Sequence, residues 1–291
     1  MILGVMIIPP LPTPFDSKGY LDSEAFRALA QAVEPHVDGL LFYGSNGEGV
    51  HLSKDERRAG LAAQSPTKPV WVGLMEETLA QAQVALEEAA ALGARSLVTP
   101  PRYYESQLGT EGFLNYYRTL AETGKGEIWL YHVPQNTKVQ LPLPVIAELS
   151  KHPGITGIKD SSGDLARMAF YASQKLSLEL YTGSAPNFLG ALALGAKGGI
   201  MAVANLAPKP YKMLLSAWQA GKIAEAQALQ NRLEPFGRGL AAGGVVLLKQ
   251  ALRHLGLPGG YPRPPYGAES PAWASFKPIL EEFRAEGWTV A

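Results

Sequence analysis

The sequence predicts an α/β protein: a (β/α)8 TIM barrel over residues 1–206, with a C-terminal helical extension over residues 207–291. Two observations carry this. Eight short apolar runs recur at fairly even spacing, each followed by a segment whose apolar residues fall three and four apart, and after Asn205 the pattern turns to helices alone. The runs show little in–out alternation, so both of their faces are buried, as in a parallel sheet. Eight such strand–helix units describe a closed barrel. The alternative is an open doubly wound sheet. Its G-x-G-x-x-G turn after the first strand is absent, because "GSNGEG" follows the second strand and is spaced differently.

In chain order the expected strands are "GVMII" (4–8), "GLLFYG" (39–44), "VWVGL" (70–74), "SLVTP" (96–100), "IWLYHV" (128–133), "ITGIK" (155–159), "LELYTG" (178–183) and "GIMAVAN" (199–205). The first helix fits residues 22–34, where Phe26, Leu29, Ala30 and Val33 share a face. Ser53 and Glu56 form a capping box that opens 54–64. Further helices fit 78–92, 111–123, 142–151, 164–175 and 186–194, then 208–220, 222–234, 243–255 and 271–287. The Pro- and Gly-rich stretch 256–271 reads as an extended connection.

Composition excludes several classes of function. The 26 basic and 26 acidic residues cancel and form no basic stripe, so nothing suits a nucleic acid or an anionic membrane surface. With no cysteine there is no disulfide, thiolate metal site or cysteine nucleophile, and a reducing cytoplasm fits. The apolar start has no basic n-region and no small-residue cleavage site. Residues 188–207 are long enough to raise a membrane question, but Lys197, Asn205 and several glycines interrupt them, so a soluble protein is expected. The histidines (His36, His51, His132, His152, His254) show no paired ligand spacing, and "DSSGD" breaks the calcium-loop pattern, so no metal is expected. His51 and His132 read as hydrogen-bonded loop residues. No G-x-S-x-G elbow exists, which disfavours a serine hydrolase.

Chemistry in a barrel collects at the C-terminal ends of the strands. Strand 6 ends a buried run on Lys159. A lysine at a strand end is ordinarily solvated, but one held by dry walls has its pKa pulled from near 10.4 toward neutrality. Its neutral amine then adds to a ketone to give a Schiff base. Tyr131 lies on the neighbouring strand at the corresponding height, and its phenol can both donate and accept a proton. The strand-2 loop "GSNGEG" offers successive backbone N–H groups, with Ser45 and Asn46 beside them, as a nest for a small carboxylate.

"GSNGEGVHLSKDER", "YHVP" and "GIKDSSGD", in this order on strands 2, 5 and 6, resemble the dihydrodipicolinate synthase/N-acetylneuraminate lyase family. These are class I aldolases and related lyases on a (β/α)8 barrel with a C-terminal helical extension. The resemblance spans nearly the whole chain. It implies that Lys159 forms a Schiff base with a 2-oxo acid, typically pyruvate, with no other cofactor. It further implies Tyr131 as proton shuttle, Ser45 and Asn46 as the pyruvate carboxylate clamp, and Tyr104 as a residue reaching a neighbouring subunit's site in a homotetramer. Asn46 and Ser161 are expected to donate to a second carboxylate, and Asn136 and Met201 complete the expected substrate-binding set.

The synthases of this family carry two threonines where this chain has Ser45 and Asn46, and an arginine at the position of Asn136. "GSNGE", the Y-x-V-P-x-N-T pattern and the short "GGIMAVAN" instead resemble the 4-hydroxy-2-oxoglutarate aldolase branch. The expected reaction is cleavage of 4-hydroxy-2-oxoglutarate to pyruvate and an aldehyde, glyoxylate. Lys138, two residues beyond Asn136, keeps open a synthase that condenses pyruvate with aspartate semialdehyde. A non-catalytic 2-oxo-acid-binding barrel is the reading from another class, and it needs neither Lys159 nor Tyr131.

Overall fold

The computed structural model describes residues 6–291. Among these lie eight parallel strands: β1 (Met6–Ile8), β2 (Leu40–Phe42), β3 (Val70–Leu74), β4 (Arg95–Val98), β5 (Ile128–His132), β6 (Ile155–Asp160), β7 (Glu179–Thr182) and β8 (Gly198–Ile200). They pair in the order β1-β8-β7-β6-β5-β4-β3-β2. Among the described residues the seam between β1 and β2 holds one parallel bridge, Pro10 to Leu41, with Leu41 N donating to Pro9 O at 3.1 Å and Leu11 N to Leu41 O at 2.9 Å, and below it Asp38 N donates to Ile7 O at 3.0 Å. The seam is thin because proline has no N–H to give a ladder, and residues 9, 10 and 12 are all proline. The result is the expected (β/α)8 TIM barrel. Residues 4 and 5 of the first expected strand lie outside the described residues.

The helices between strands are α1 (Ser23–Val33), α2 (Lys54–Ala62), α3 (Leu79–Ala91), α4 (Glu105–Glu122), the single turn α5 (Pro134–Thr137), α6 (Leu143–Leu149), α7 (Leu165–Ser173) and α8 (Phe188–Ala193). Side chains just before them supply the caps: Asp22 accepts from Ala25 N, Ser53 and Glu56 form the expected capping box, and Asp164 accepts from Ala166 N. After β8 come α9 (Pro208–Gln219), α10 (Ile223–His254) and α11 (Trp273–Ala285).

Two elements differ from expectation. The expected eighth strand ends at Ile200, and Ala202–Asn205 is a 3-10 turn, so Asn205 is not a strand end. Its buried side chain donates to Pro10 O at 3.1 Å and Ala202 O at 3.0 Å. A short apolar run without alternation reads alike as strand or turn, which is how "MAVAN" passes for strand. The helices expected at 222–234 and 243–255 both lie in α10, where non-helical backbone at Gly244 (φ 57, ψ −150) separates two helical segments; the first runs on past residue 234 instead of ending there. The buried Leu233, Phe236, Gly237 and Leu240 carry one apolar stripe through the Pro235 region, so burial overrides the breaker.

Two cores result. One lies between the strands and the surrounding helices; the other fills the barrel with Met6, Ile8, Leu41, Trp71, Leu97, Trp129, Tyr131, Val133, Tyr181 and Ile200. Trp129 packs edge-on against Trp71 at 5.4 Å between ring centres. It fits only because residue 157 is glycine: a Cβ there would stand 2.3 Å from the indole. This packed floor lies beneath the C-terminal ends of β5 and β6. Among the described residues no helix is long and apolar enough to cross a membrane.

Candidate active site

Strand register brings the predicted pair together. Tyr131 on β5 lies opposite Lys159 on β6, and Tyr181 on β7 lies on the other side of Lys159. Lys159 is 3% exposed and Tyr131 2%. The Lys159 Nζ donates to Tyr131 Oη at 3.2 Å and sits 4.4 Å from the centre of its ring. Tyr131 Oη in turn lies 3.1 Å from Ser45 Oγ. An amine, a phenol and a hydroxyl therefore form one hydrogen-bonded line across the top of the barrel. Such a line can hold a nucleophile, and it can carry protons away from the atom attacked.

Ser45 reaches this line because Ser45–Gly47 forms a 3-10 turn directly after β2, followed by a second turn, Gly49–His51. Two glycines let the loop settle onto Tyr43: a Cβ at either Gly49 or Gly73 would stand 2.3 Å from the Tyr43 carbonyl oxygen. Asn46 is half-buried in the same turn. Ser161 follows Lys159 by two residues, so both leave β6 on one face. It is half-buried, its N–H donates to His132 O at 2.8 Å, and its hydroxyl packs over Gly183, where a Cβ would approach it to 1.9 Å.

Three predicted residues lie apart from the line. Asn136 is exposed on α5. Tyr104 is 64% exposed; it packs edge-on against Tyr103 and borders a cavity of about 950 Å³ that also takes in Lys138. Met201 is fully buried in the core between strands and helices rather than in the barrel-filling core, and its side chain curls over Gly199. Lys138 is exposed and turns its ammonium to the Gln135 carbonyl oxygen at 2.8 Å.

His132 corrects another expectation. It is a strand residue, fully buried, and its two ring nitrogens have no hydrogen-bond partner among the described residues. Burial pushes its pKa down to about 4 against the opposing pull of Asp160. Asp160, behind Lys159, accepts from Tyr171 Oη at 2.8 Å and from Ser162 N at 2.8 Å, so it ties the turn after β6 to α7. No cluster of three or more His, Asp or Glu placed to hold a metal ion occurs among the described residues.

One ion pair escapes sequence reasoning. Glu48, in the Ser45 loop, meets Lys249 of α10, and both are buried. A lone lysine in the apolar run "VVLLKQAL" is the signal that points to it.

Comparison with known proteins gives the family. The Dihydrodipicolinate synthetase family profile matches residues 4–276. Two relatives, both named 4-hydroxy-tetrahydrodipicolinate synthase, come from Methanothrix thermoacetophila and Phenylobacterium zucineum. The first is 30% identical, over 87% of this chain and 88% of its own; the second is 32% identical, over 86% and 87%. A crystal structure from Thermus thermophilus, provisionally named a dihydrodipicolinate synthase, is 63% identical with a TM-score of 0.95, covering 98% of this chain and 100% of its own. A prophage protein of the dihydrodipicolinic acid synthase family from E. coli K12, solved with pyruvate, is 25% identical with a TM-score of 0.88, covering 98% and 99%. The chain belongs to the dihydrodipicolinate synthetase family, whose class I, pyruvate-dependent lyases and aldolases work through a lysine Schiff base and need no cofactor.

Proposed function

We propose that Lys159 is the Schiff-base lysine and that the enzyme cleaves 4-hydroxy-2-oxoglutarate to pyruvate and glyoxylate. The observation that carries the lysine assignment is the line from Lys159 Nζ through Tyr131 Oη to Ser45 Oγ, with steps of 3.2 and 3.1 Å. The neutral amine adds to the C2 carbonyl. Tyr131 gives a proton to the departing oxygen, and water leaves to form the iminium. A base then takes the proton of the C4 hydroxyl. The C3–C4 bond breaks, its electrons enter the iminium, and the aldehyde departs. The enamine takes a proton at C3, and hydrolysis frees pyruvate and the amine. Ser45 and Asn46 hold the carboxylate next to C2, and Ser161 serves the second carboxylate. Tyr104, exposed on one chain, belongs in this reading to a neighbouring subunit's site in a cytoplasmic homotetramer.

Asn136 supports cleavage, since it offers an exposed neutral amide where the family's synthases present a guanidinium. Losing that charged hydrogen bond costs the synthase substrate about 1.5–3 kcal/mol. The names of the two curated relatives favour the second reading, condensation of pyruvate with aspartate semialdehyde. The two reactions share the lysine and differ in the partner aldehyde. Borohydride with pyruvate is expected to place a pyruvate-derived mass on the peptide holding Lys159, with labelling and activity both lost in Lys159→Ala. The kcat/KM for 4-hydroxy-2-oxoglutarate cleavage is expected to exceed that for the condensation. Faster condensation overturns the substrate assignment, and labelling at another lysine overturns the site.

A further inference from the structure

The loop that carries Ser45 is fixed from outside the barrel. Glu48 stands at φ 50, ψ 33 between the two 3-10 turns. A residue with a side chain keeps that left-handed backbone only where its surroundings hold it there. The Glu48 carboxylate is 3% exposed and meets the fully buried ammonium of Lys249, 201 positions away on α10. That ammonium also donates to Tyr261 O at 2.8 Å and lies 4.5 Å from the centre of the Phe15 ring. The other carboxylate oxygen accepts from Arg263 N at 3.0 Å. One residue earlier in the loop, Gly47 O accepts from Thr13 Oγ1 at 2.6 Å.

A buried ion pair is a poor route to stability, because apolar side chains of similar volume often serve as well or better. Burial also opposes the charge on Lys249 and lowers its pKa to about 8. What the pair adds over an apolar contact is direction: it fixes one backbone turn against one helix. We propose that Glu48 and Lys249 are positioning residues through which the C-terminal helices set the Ser45–Asn46 turn, and with it the site's grip on the carboxylate of a 2-oxo acid. This rests on the reading of Ser45 and Asn46 as the carboxylate clamp.

The test is borohydride trapping of pyruvate by the full-length enzyme, titrated to find the half-saturating concentration and mapped by mass to the labelled lysine. Lys249→Met leaves the buried Glu48 charge without its ammonium partner, so it is paired with the double variant Glu48→Leu/Lys249→Met, which fills the same space without charge. The double variant is expected to melt near the wild-type temperature, yet to need on the order of tenfold more pyruvate for half-saturation, a loss typical of small misplacements. Glu48→Gln, which keeps the side-chain shape, shifts the same way by less. A folded double variant whose half-saturating pyruvate stays within about twofold of wild type shows that the pair is only structural and overturns the proposal alone. Wild-type labelling at a lysine other than Lys159 overturns the clamp reading and this proposal with it.

Discussion

Tyr131 is the residue on which the site turns, since its one oxygen touches both the amine of Lys159 and the hydroxyl of Ser45. Its ring also belongs to the barrel-filling core, so packing and proton transfer use different parts of the same side chain. Tyr131→Phe keeps the ring and removes the oxygen. Turnover is expected to fall by roughly 10²–10⁴, the usual worth of a positioned proton relay, while the melting temperature stays near wild type. A near-wild-type rate in stopped assays would remove the relay role. The closeness of Tyr131 to Lys159 is legible in the sequence, because adjacent parallel strands end at one height and the two residues close their apolar runs together. The Ser45–Tyr131 contact is not legible, since a turn's path depends on Gly49 and Gly73 clearing the Tyr43 carbonyl. Nor is Glu48 with Lys249, which no local period connects.

Elements β5 and β6 present their reactive residues inward and a second polar set outward. His132, Asp160, Tyr171 and Arg167 lie on that outer side, where α7 covers the sheet, with the Asp160 carboxylate 3.6 Å from Arg167 Nε. His132 is held neutral there, with a pKa pushed to about 4. Below its ordinary value near 6.5 the unfolded chain takes up a proton that the folded chain refuses. Stability is therefore complete above about pH 6.5 and falls as the pH drops toward 4, by about 2–3 kcal/mol at pH 4.5. Urea midpoints at pH 7 and pH 4.5 measure this loss, and His132→Leu is expected to flatten it. A slope that survives in the variant assigns the acid sensitivity elsewhere. The expected strand 128–133 holds His132, as the structure does, and Pro134 opens the next helical turn. What the sequence misreads is the imidazole, taken for a hydrogen-bonded loop side chain but buried without a partner among the described residues. Strand 8 fails in its length, with "MAVAN" too short and too uniformly apolar for any period to show that it turns.

At the scale of the whole molecule, the eightfold pattern of strand and helix is the most legible property, because burial on both faces writes itself into every strand. Its most sparsely bonded line among the described residues is the β1–β2 seam, where prolines 9 and 10 leave few donors and one bridge and the Asp38 N to Ile7 O bond stand in for a ladder. Hydrogen exchange is expected to show Leu11 and Leu41 amides opening on the order of tenfold faster than those of the β5–β6 ladder. Equal protection would mean that closure is shared by side-chain packing and that the missing bonds count for little. A second long-range link is the Glu48–Lys249 pair, one of several between the C-terminal helices and the barrel, whose partners are 201 residues apart. Its consequence lies in the order of synthesis. A chain emerging from the ribosome exposes β2 and the Ser45 loop before β3, and each of the strands β3 to β8 can pair with the one before it as it appears. Lys249 arrives only after all eight barrel strands have been made. Until then Glu48 has no buried counter-charge, and its left-handed turn is held only by local bonds such as Thr13 Oγ1 to Gly47 O. A chain made only as far as β8 thus has its lysine and tyrosine strands in register but lacks the far anchor of the loop opposite them, and the site becomes whole only once α10 has packed against the barrel.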